Sequence, residues 1–249
     1  MIIKIAILGA IQGLTEFFPV SSSGHLVIAQ HFLSIKENVV FLDIFLHTGT
    51  ILALLTFFFK DILKVFKDPK MLGYIATVTI ITGVIGITFK RTFESMFLST
   101  HDTAIQLLIN AVILLSVPFL KEKNKNIKLP DCIIMGIAQA VSIIPGISRS
   151  GATIVSLLAR GINREEAFRF SFLASIPAIT GAFLVEAKDV NFKNMAFDLR
   201  ELSAGFITSY LFGILALVIL NKIIKKQKLH YFGYYCLLLG TALLYFIKL

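Results

Sequence analysis

Charged residues are scarce in this sequence of 249 residues: only 16% are Asp, Glu, Lys or Arg, whereas 56% are hydrophobic. Mean hydropathy is correspondingly high, at +0.83. Cysteine is scarcer still, since Cys132 and Cys236 are the only two and neither has a Cys or His neighbour at metal-ligand spacing. The shortage of charge excludes an ordinary soluble domain, and the two isolated cysteines argue against a disulfide framework or a zinc site. The composition therefore predicts an integral membrane protein.

The charge that is present is mostly basic, with a net charge of +9. The lysines lie in short loops between apolar runs, which favours contact with anionic lipid and a role in membrane orientation over nucleic-acid binding. We therefore expect membrane lipids, and no nucleic acid, as partners. When the loops are assigned to alternate faces, the face opposite the N-terminus carries more Lys and Arg. By the positive-inside bias that face is cytoplasmic, so both termini are predicted to be external.

Apolar stretches recur along the whole chain, and not all of them can cross a membrane. A spanning helix needs about 20 residues. The stretches 22–33 and 151–159 would be only about 18 and 14 Å long, which is well short of a hydrocarbon core of about 30 Å. Each is expected to turn back or to stop halfway. The complete set is 2–18, 22–33, 39–59, 71–89, 104–120, 131–144, 151–159, 167–185, 202–220 and 229–247.

The two halves of the sequence also match each other. The tetrapeptide G-A-I-Q (9–12) aligns with G-I-A-Q (136–139), and S-S-S-G (21–24) aligns with S-R-S-G (148–151). Both matches have the same offset of 127 (136 − 9 and 148 − 21). Two separated matches at one offset indicate an internal duplication.

The duplication leads to a specific fold. We expect one integral membrane domain over 1–249, with repeat 1 at about 1–120 and repeat 2 at about 131–249. If the first two stretches of each repeat form a re-entrant helical hairpin, three spanning helices remain in each half. Because three is odd, the second repeat enters the membrane from the opposite face. The predicted class is an all-α polytopic membrane protein with an inverted-topology repeat, about six transmembrane helices and two re-entrant hairpins that meet near the midplane.

The breaks inside the hairpins are rich in groups that bind anions. The serines at 21–23, and Ser148 with Ser150, stand where the two short helices would be capped. Two helix N-termini directed at one point present free N–H groups and positive dipole ends, which suits phosphate. Arg149 adds a planar guanidinium that can bind phosphate through two hydrogen bonds.

The segment before the first break adds oxygen ligands. Gln12 and Glu16 are four residues apart and so share one helix face, and such oxygens beside a phosphate suit Mg²⁺ or Ca²⁺. His25, on the first short helix, could carry a proton near neutral pH. For Gln12, whose repeat equivalent is Gln139, a structural hydrogen bond across the hairpins is an equal alternative to metal ligation. His47, inside a spanning segment, is interpreted as a helix-contact histidine.

The motifs Q-G-L-T-E-F-F-P-V-S-S-S-G-H and P-G-I-S-R-S-G-A-T, with F-S-F-L-A-S-I-P at 170–177, resemble those of the BacA-type undecaprenyl-diphosphate phosphatases. The likeness covers essentially the whole chain. It implies a multi-pass hydrolase of the bacterial inner (cytoplasmic) membrane that removes the terminal phosphate of undecaprenyl diphosphate. That reaction recycles the lipid carrier for peptidoglycan synthesis and cell wall biogenesis, and confers bacitracin resistance. The resemblance also implies a divalent metal ion.

The family motifs carry over residue by residue. One departure is that many members have Glu where this chain has Gln12, which makes Gln12 a weaker metal ligand and leaves Glu16 to carry most of that work. The resemblance assigns Gln12 and Glu16 to the acidic, metal-binding motif, Ser22 and His25 to the catalytic hydroxyl and imidazole, and Ser148, Arg149, Ser150 and Thr153 to the phosphate-binding motif.

Several mechanistic alternatives stay open at this point. In one alternative, Ser22 attacks phosphorus with His25 as its base. In the others, the attacking group is His25 or a metal-bound water, and Ser22 only orients the substrate. A lipid-phosphate transporter is the rival class, because inverted repeats with broken helices are also transporter architecture. A carrier needs no nucleophile or proton shuttle, so Ser22, His25 and Glu16 together favour hydrolysis. We further expect an active site that opens outward, and a homodimer is one further expectation.

Overall fold

The computed structural model describes residues 1–35, 39–96, 100–123, 125–188 and 197–247. Within these ranges every extended regular element is a helix, and an isolated bridge joins Lys125 to Ile162. The predicted all-α class is confirmed. The α-helices are α1 Ile2–Phe17, α2 Ser22–Phe32, α3 Val39–Phe57, α4 Phe59–Val65, α5 Pro69–Thr88, α6 Lys90–Met96, α7 Thr100–Leu115, α8 Leu129–Val141, α9 Arg149–Ala159, α10 Arg164–Lys188, α11 Leu199–Lys225 and α12 Tyr231–Ile247.

Four helical segments in the described ranges are long and apolar enough to cross a membrane: Pro69–Thr88, His101–Phe119, Arg164–Val185 and Leu199–Lys225. A fifth crossing results if α3 and α4 are counted together, although they meet at a bend of 71°. The remaining predicted crossing, α12, has 17 residues and is about 26 Å long. The chain is thus a multi-pass membrane protein, and the predicted number of six crossings is reached only if α12 is included.

Local sequence signals explain where several helices begin. Asp68 caps α5 by accepting hydrogen bonds from two backbone N–H groups, and Pro69 occupies the first turn, where no N–H is needed. Asp198 and Glu201 form a reciprocal capping box at the start of α11. The bend between α3 and α4 lies at Phe58, within a run that contains neither proline nor glycine, so no residue at this position predicts it.

The two short helices occupy equivalent positions in the two halves. Helices α2 and α9 each have 11 residues, and both boundaries of α9 lie 127 positions after those of α2 (149 − 22 and 159 − 32). At about 16 Å, neither can cross the membrane. This agrees with the prediction that each stops halfway.

Helix packing also repeats between the halves. Helix α1 packs against α11 and α3 also contacts α11, while in the other half α8 packs against α5 and α10 also contacts α5. Helix α7 packs against α12, and α3 against α10. Exchanging the equivalent elements of the two halves turns the first two pairings into the second two, and turns the α7–α12 and α3–α10 pairings into themselves. The inverted orientation of the two repeats stays a prediction.

The closest helix pair, α1 with α11, depends on small residues. A Cβ at Gly13 would lie 2.5 Å from the backbone oxygen of Ser209, and one at Gly9 would lie 2.3 Å from the backbone oxygen of Gly205. Both distances are shorter than van der Waals contact allows, so only glycine permits this approach. The close packing of α1 fixes the helix that ends next to the first break.

Candidate functional site

The two breaks predicted to meet inside the membrane are in direct contact. The N–H of Gly146 in the second break donates to Ser21 Oγ in the first at 3.2 Å. Arg149 Nη2, at the start of α9, donates to Glu16 Oε1, near the end of α1, at 2.9 Å. A hydrogen bond from backbone to side chain and an ion pair therefore join the hairpins at one place.

In the second break, Ser148 forms the predicted helix cap. Its Oγ accepts a hydrogen bond from the N–H of Gly151 at 3.2 Å and lies 3.2 Å from Ser150 Oγ. Thr153 Oγ1 donates to the backbone oxygen of Arg149 at 2.7 Å and lies 2.6 Å from Ser171 Oγ. The three predicted hydroxyls are buried, so the start of α9 presents a compact polar cluster inside the protein.

The first break is built differently, and here the predicted capping role of the serines is wrong. Ser21 occupies the N-cap position of α2 but makes no side-chain capping bond. Its φ is +70°, in the left-handed region, instead of the extended region that capping residues adopt. The Ser21 hydroxyl instead accepts from Gly146 in the other hairpin. The contact between hairpins has replaced the cap.

Glu16 lies at the centre of the contacts between the hairpins. Its Oε2 accepts hydrogen bonds from Ser22 Oγ at 2.8 Å and from Gln12 Nε2 at 3.3 Å, while Oε1 accepts from Arg149. The Glu16 side chain is only 9% exposed. A carboxylate buried to this extent needs a positive partner and several donors, and this arrangement supplies both.

His47 on α3 belongs to the same cluster, and the sequence interpretation of it as an ordinary helix-contact histidine missed this. Its Nε2 lies 3.5 Å from Glu16 Oε2, and its Nδ1 lies 2.8 Å from the backbone oxygen of Asp43. Because a carbonyl oxygen only accepts, Nδ1 carries a hydrogen. The available signal was that an ionisable side chain inside a membrane segment is a functional candidate by default.

His25 is placed away from the hydroxyl it was predicted to serve. Its Nδ1 lies 2.7 Å from the backbone oxygen of Ser21 and its Nε2 lies 2.6 Å from the hydroxyl of Tyr235 on α12. The His25 and Tyr235 rings also stack, with centroids 5.7 Å apart. Both ring nitrogens are therefore engaged, and neither of these contacts reaches Ser22.

Two polar atoms at the centre of the site are buried and have no hydrogen-bond partner in the part of the chain that the structure describes. These are Arg149 Nη1 and Gln12 Oε1. The first is a cationic donor and the second a neutral oxygen acceptor, so one suits an anion and the other a cation. Gln139 donates instead to Thr82 at 3.1 Å, and no bond between Gln12 and Gln139 occurs among the described hydrogen bonds.

The donor set fits a divalent metal only as part of a larger shell. Within the described ranges, no group of three or more His, Cys, Asp and Glu side chains could hold a metal ion. Glu16 and the free oxygen of Gln12 supply two oxygen ligands of the type that Mg²⁺ and Ca²⁺ accept. The remaining ligands would have to be water or substrate oxygens.

Comparison with known proteins gives a consistent result along the chain. The family described as "Bacitracin resistance protein BacA" matches residues 5–242. An undecaprenyl-diphosphatase of Carboxydothermus hydrogenoformans is 42% identical over 96% of this chain and 94% of its own length. Those of Alkaliphilus metalliredigens and Halothermothrix orenii are each 41% identical, covering 98% of this chain and 98% and 97% of their own lengths. The chain belongs to the BacA family of bacitracin resistance proteins.

Proposed function

We propose that this chain is an undecaprenyl-diphosphatase: it hydrolyses undecaprenyl diphosphate to undecaprenyl phosphate and inorganic phosphate. The activity returns the lipid carrier to peptidoglycan synthesis and confers bacitracin resistance. Family membership and the relatives named undecaprenyl-diphosphatase support the substrate. The observation that carries the chemistry is the junction of Glu16 with Arg149, where the buried Nη1 of the guanidinium has no hydrogen-bond partner among the described residues.

The second hairpin provides the phosphate-binding side. Arg149 neutralises the terminal phosphoryl group, and its free Nη1 can donate to a phosphate oxygen. The hydroxyls of Ser148, Ser150 and Thr153 border the same helix N-terminus, where the dipole favours negative charge. Catalysis of phosphoryl transfer depends mostly on such positioning and charge stabilisation.

The first hairpin provides the nucleophile. Ser22 Oγ donates to Glu16 at 2.8 Å, so Glu16 is the nearest group able to accept its proton. In the proposed step the Ser22 oxygen bonds to the terminal phosphorus, its proton passes to Glu16, and the bond to the leaving undecaprenyl phosphate breaks. Water then bonds to the phosphorus, the bond between phosphorus and the Ser22 oxygen breaks, Glu16 returns its proton to that oxygen, and inorganic phosphate leaves. This geometry favours Glu16 over His25 as the base.

A divalent metal ion, Mg²⁺ or Ca²⁺, is part of the proposal. Gln12 and Glu16 would hold it, since the Gln12 Oε1 has no hydrogen-bond partner among the described residues. When bound, the ion neutralises negative charge on the phosphate oxygens. The protein side chains align the two hairpins around that charge.

Phosphate release by the purified protein tests the function directly. With undecaprenyl diphosphate and Mg²⁺ in detergent, we expect inorganic phosphate and undecaprenyl phosphate in equal amounts, and no release from undecaprenyl phosphate itself. Ser22→Ala should lose the activity, while Ser23→Ala should retain most of it. Absence of release by the folded wild-type protein would refute the proposed function.

The identity of the nucleophile has its own experiment. Brief incubation with substrate labelled in the terminal phosphate, followed by quenching in SDS at neutral pH, where phosphoserine and phosphohistidine both survive, and by peptide mapping, should locate the label on Ser22. Label on His25 would make the imidazole the nucleophile. Product without any trapped label, together with turnover by Ser22→Ala, would favour attack by water.

The proposed location is the bacterial cytoplasmic membrane, with both termini external and the site opening outward; a homodimer is an additional expectation. A cysteine at Ser34, after α2, should react with a membrane-impermeant thiol reagent in intact cells. A cysteine at Lys226, between α11 and α12, should react only after the membrane is opened; Asn124, an equivalent predicted loop position, lies outside the described residues. Cys132 and Cys236 are buried and provide a silent background. The opposite labelling pattern would reverse the proposed orientation.

A further inference from the structure

Asn110 on α7 connects the two breaks although it belongs to neither motif. It is fully buried, and both the NH₂ group and the oxygen of its carboxamide form hydrogen bonds. The Nδ2 group donates to the backbone oxygen of Pro19 at 3.0 Å, and Oδ1 accepts from the backbone N–H of Ser148 at 3.2 Å. Pro19 lies in the first break and Ser148 caps α9 after the second. One side chain therefore holds one backbone group from each hairpin.

The two backbone groups are those that the breaks leave without helical partners. The N–H of an N-cap residue has no acceptor within its own helix, and the oxygen of Pro19 lies beyond the end of α1. Unpaired backbone groups are costly inside a membrane protein unless another group satisfies them. Asn110 satisfies both backbone groups at once. The distance between the two hairpins therefore depends on the position of Asn110.

The distance between the two hairpins matters because the reacting groups lie close in sequence to the two residues that Asn110 hydrogen-bonds. Pro19 is three residues from both Glu16 and Ser22, and Ser148 directly precedes Arg149. The described hydrogen bonds of Asn110 do not include these three side chains. Any effect of Asn110 on the reaction must therefore act through the backbone positions of the two hairpins.

We propose that Asn110 is a positioning residue that sets the distance between the nucleophile side of the site, Glu16 with Ser22, and the phosphate-binding side at Arg149. The inference rests on the proposed function. A displacement of about 1 Å between reacting groups can lower a rate by about 100-fold. Through its two hydrogen bonds, the Asn110 carboxamide holds the two half-sites at a fixed separation.

The test compares Asn110→Ala and the smaller change Asn110→Ser with Gln106→Leu. Gln106 is a buried amide one helical turn earlier on α7, and its Oε1 has no hydrogen-bond partner. We expect the Asn110 variants to lose at least about tenfold in kcat, since reacting groups are misplaced, with KM for undecaprenyl diphosphate little changed. Gln106→Leu should keep kcat near wild type. Thermal unfolding in detergent and size-exclusion chromatography identify the folded fraction on which kcat is based.

A double-mutant cycle separates positioning from a purely structural role. If Asn110 acts by placing Arg149, the loss in Asn110→Ala with Arg149→Lys should be clearly smaller than the product of the two single losses. Losses that multiply, a kcat equal to that of Gln106→Leu, or unfolding of both Asn110 variants would overturn the proposal and leave Asn110 a structural residue. Wild-type protein that releases no phosphate would refute the proposed function itself, which is a different outcome.

Discussion

Helices α2 and α9 share their length and their place in the two halves, yet they are embedded in different ways. Most of α9 is buried, including Thr153, Ile154 and Leu157. Helix α2 buries few side chains and leaves Val27 58% and Phe32 81% exposed. The two short helices occupy equivalent positions, but α9 is part of the protein interior whereas α2 lies near the surface of the protein.

The difference indicates how each half of the site is held. The proposed phosphate-binding half at α9 is held by its own burial and by the cap at Ser148. The proposed nucleophile half at α2 is held by single side-chain bonds: His25 to Tyr235 on α12, and Gln30 Nε2 to Asp43 Oδ1 on α3 at 2.6 Å. If these roles are correct, the arrangement suits a substrate with a long lipid tail, because the less embedded helix, which carries Ser22, borders the apolar surroundings.

The largest effect is expected where the two halves meet. Glu16→Gln removes both the negative charge that pairs with Arg149 and the nearest acceptor for the Ser22 proton. We expect kcat for phosphate release to fall by about 10²–10⁴-fold, the usual range for loss of a general base. Glu165→Gln, which changes an exposed carboxylate 60% accessible to solvent, is the matched control. Turnover near wild type in Glu16→Gln would show that the ion pair between Glu16 and Arg149 is not needed for catalysis.

The next prediction concerns the phosphate-binding half alone. Arg149→Lys keeps the charge but loses the planar group that can bind a phosphate while still contacting Glu16. Activity should fall by at least about tenfold. Arg169→Lys, on α10 and paired with Asp61, should have little effect. If both variants turned over like wild type, Arg149 would not be the phosphate ligand.

A smaller effect should follow from loosening the nucleophile half at α3. His47→Leu removes the imidazole whose Nε2 lies 3.5 Å from Glu16 Oε2. Because Nδ1 already carries a hydrogen, this contact is an ion pair when the ring is protonated, and its loss should lower kcat about three- to tenfold. His47→Gln, which can still donate, should recover part of the loss. The control is His31→Leu, at the exposed end of α2. Equal kcat in the Leu and Gln variants would show that packing, and not hydrogen bonding, is what His47 supplies.

The contact of α2 with α12 should matter less again. Tyr235→Phe keeps the ring stacked on His25 but removes the hydroxyl that reaches its Nε2. Loss of one such bond predicts a decrease of about two- to fivefold in kcat, with the unfolding temperature in detergent unchanged. Tyr234→Phe alters the neighbouring exposed tyrosine and serves as the control. An equal decrease in both variants would mean that α2 does not depend on this bond.

Much of the architecture could be predicted because it follows from the lengths and spacing of the apolar stretches along the chain. The apolar stretches 22–33 and 151–159 correspond to α2 and α9 within two residues at each end. The shared offset predicted that the two breaks are equivalent, and the inverted-topology repeat predicted that the two hairpins meet near the midplane. The bend at Phe58 could not be predicted, because it is not caused by proline or glycine.

The arrangement inside the site was less predictable, because it depends on contacts between distant segments. Sequence spacing placed His25 next to Ser22, whereas the folded chain turns it towards Tyr235, 210 residues away. The same applies to Asn110, whose partner Ser148 is 38 positions further along. Short-range spacing identifies which residues share a helix face but not which helix covers that face.

The smallest effect on turnover, and the most direct comparison of the repeats, concerns the equivalent residues Gln12 and Gln139. Both are buried with an unpartnered Oε1, but only Gln12 has a carboxylate within reach, because its Nε2 donates to Glu16 whereas Gln139 donates to Thr82. If Gln12 contributes to a metal site, Gln12→Glu should lower the Mg²⁺ or Ca²⁺ concentration needed for half-maximal activity after chelation and readdition, since a full charge binds a hard cation better than an amide oxygen. Turnover at saturating metal should stay within about threefold of wild type, as for loss or gain of one weak contact. Gln12→Leu should raise the requirement and Gln139→Leu should leave it unchanged. A metal titration that is identical in all three variants would assign Gln12, like Gln139, to a hydrogen bond that only supports the hairpin.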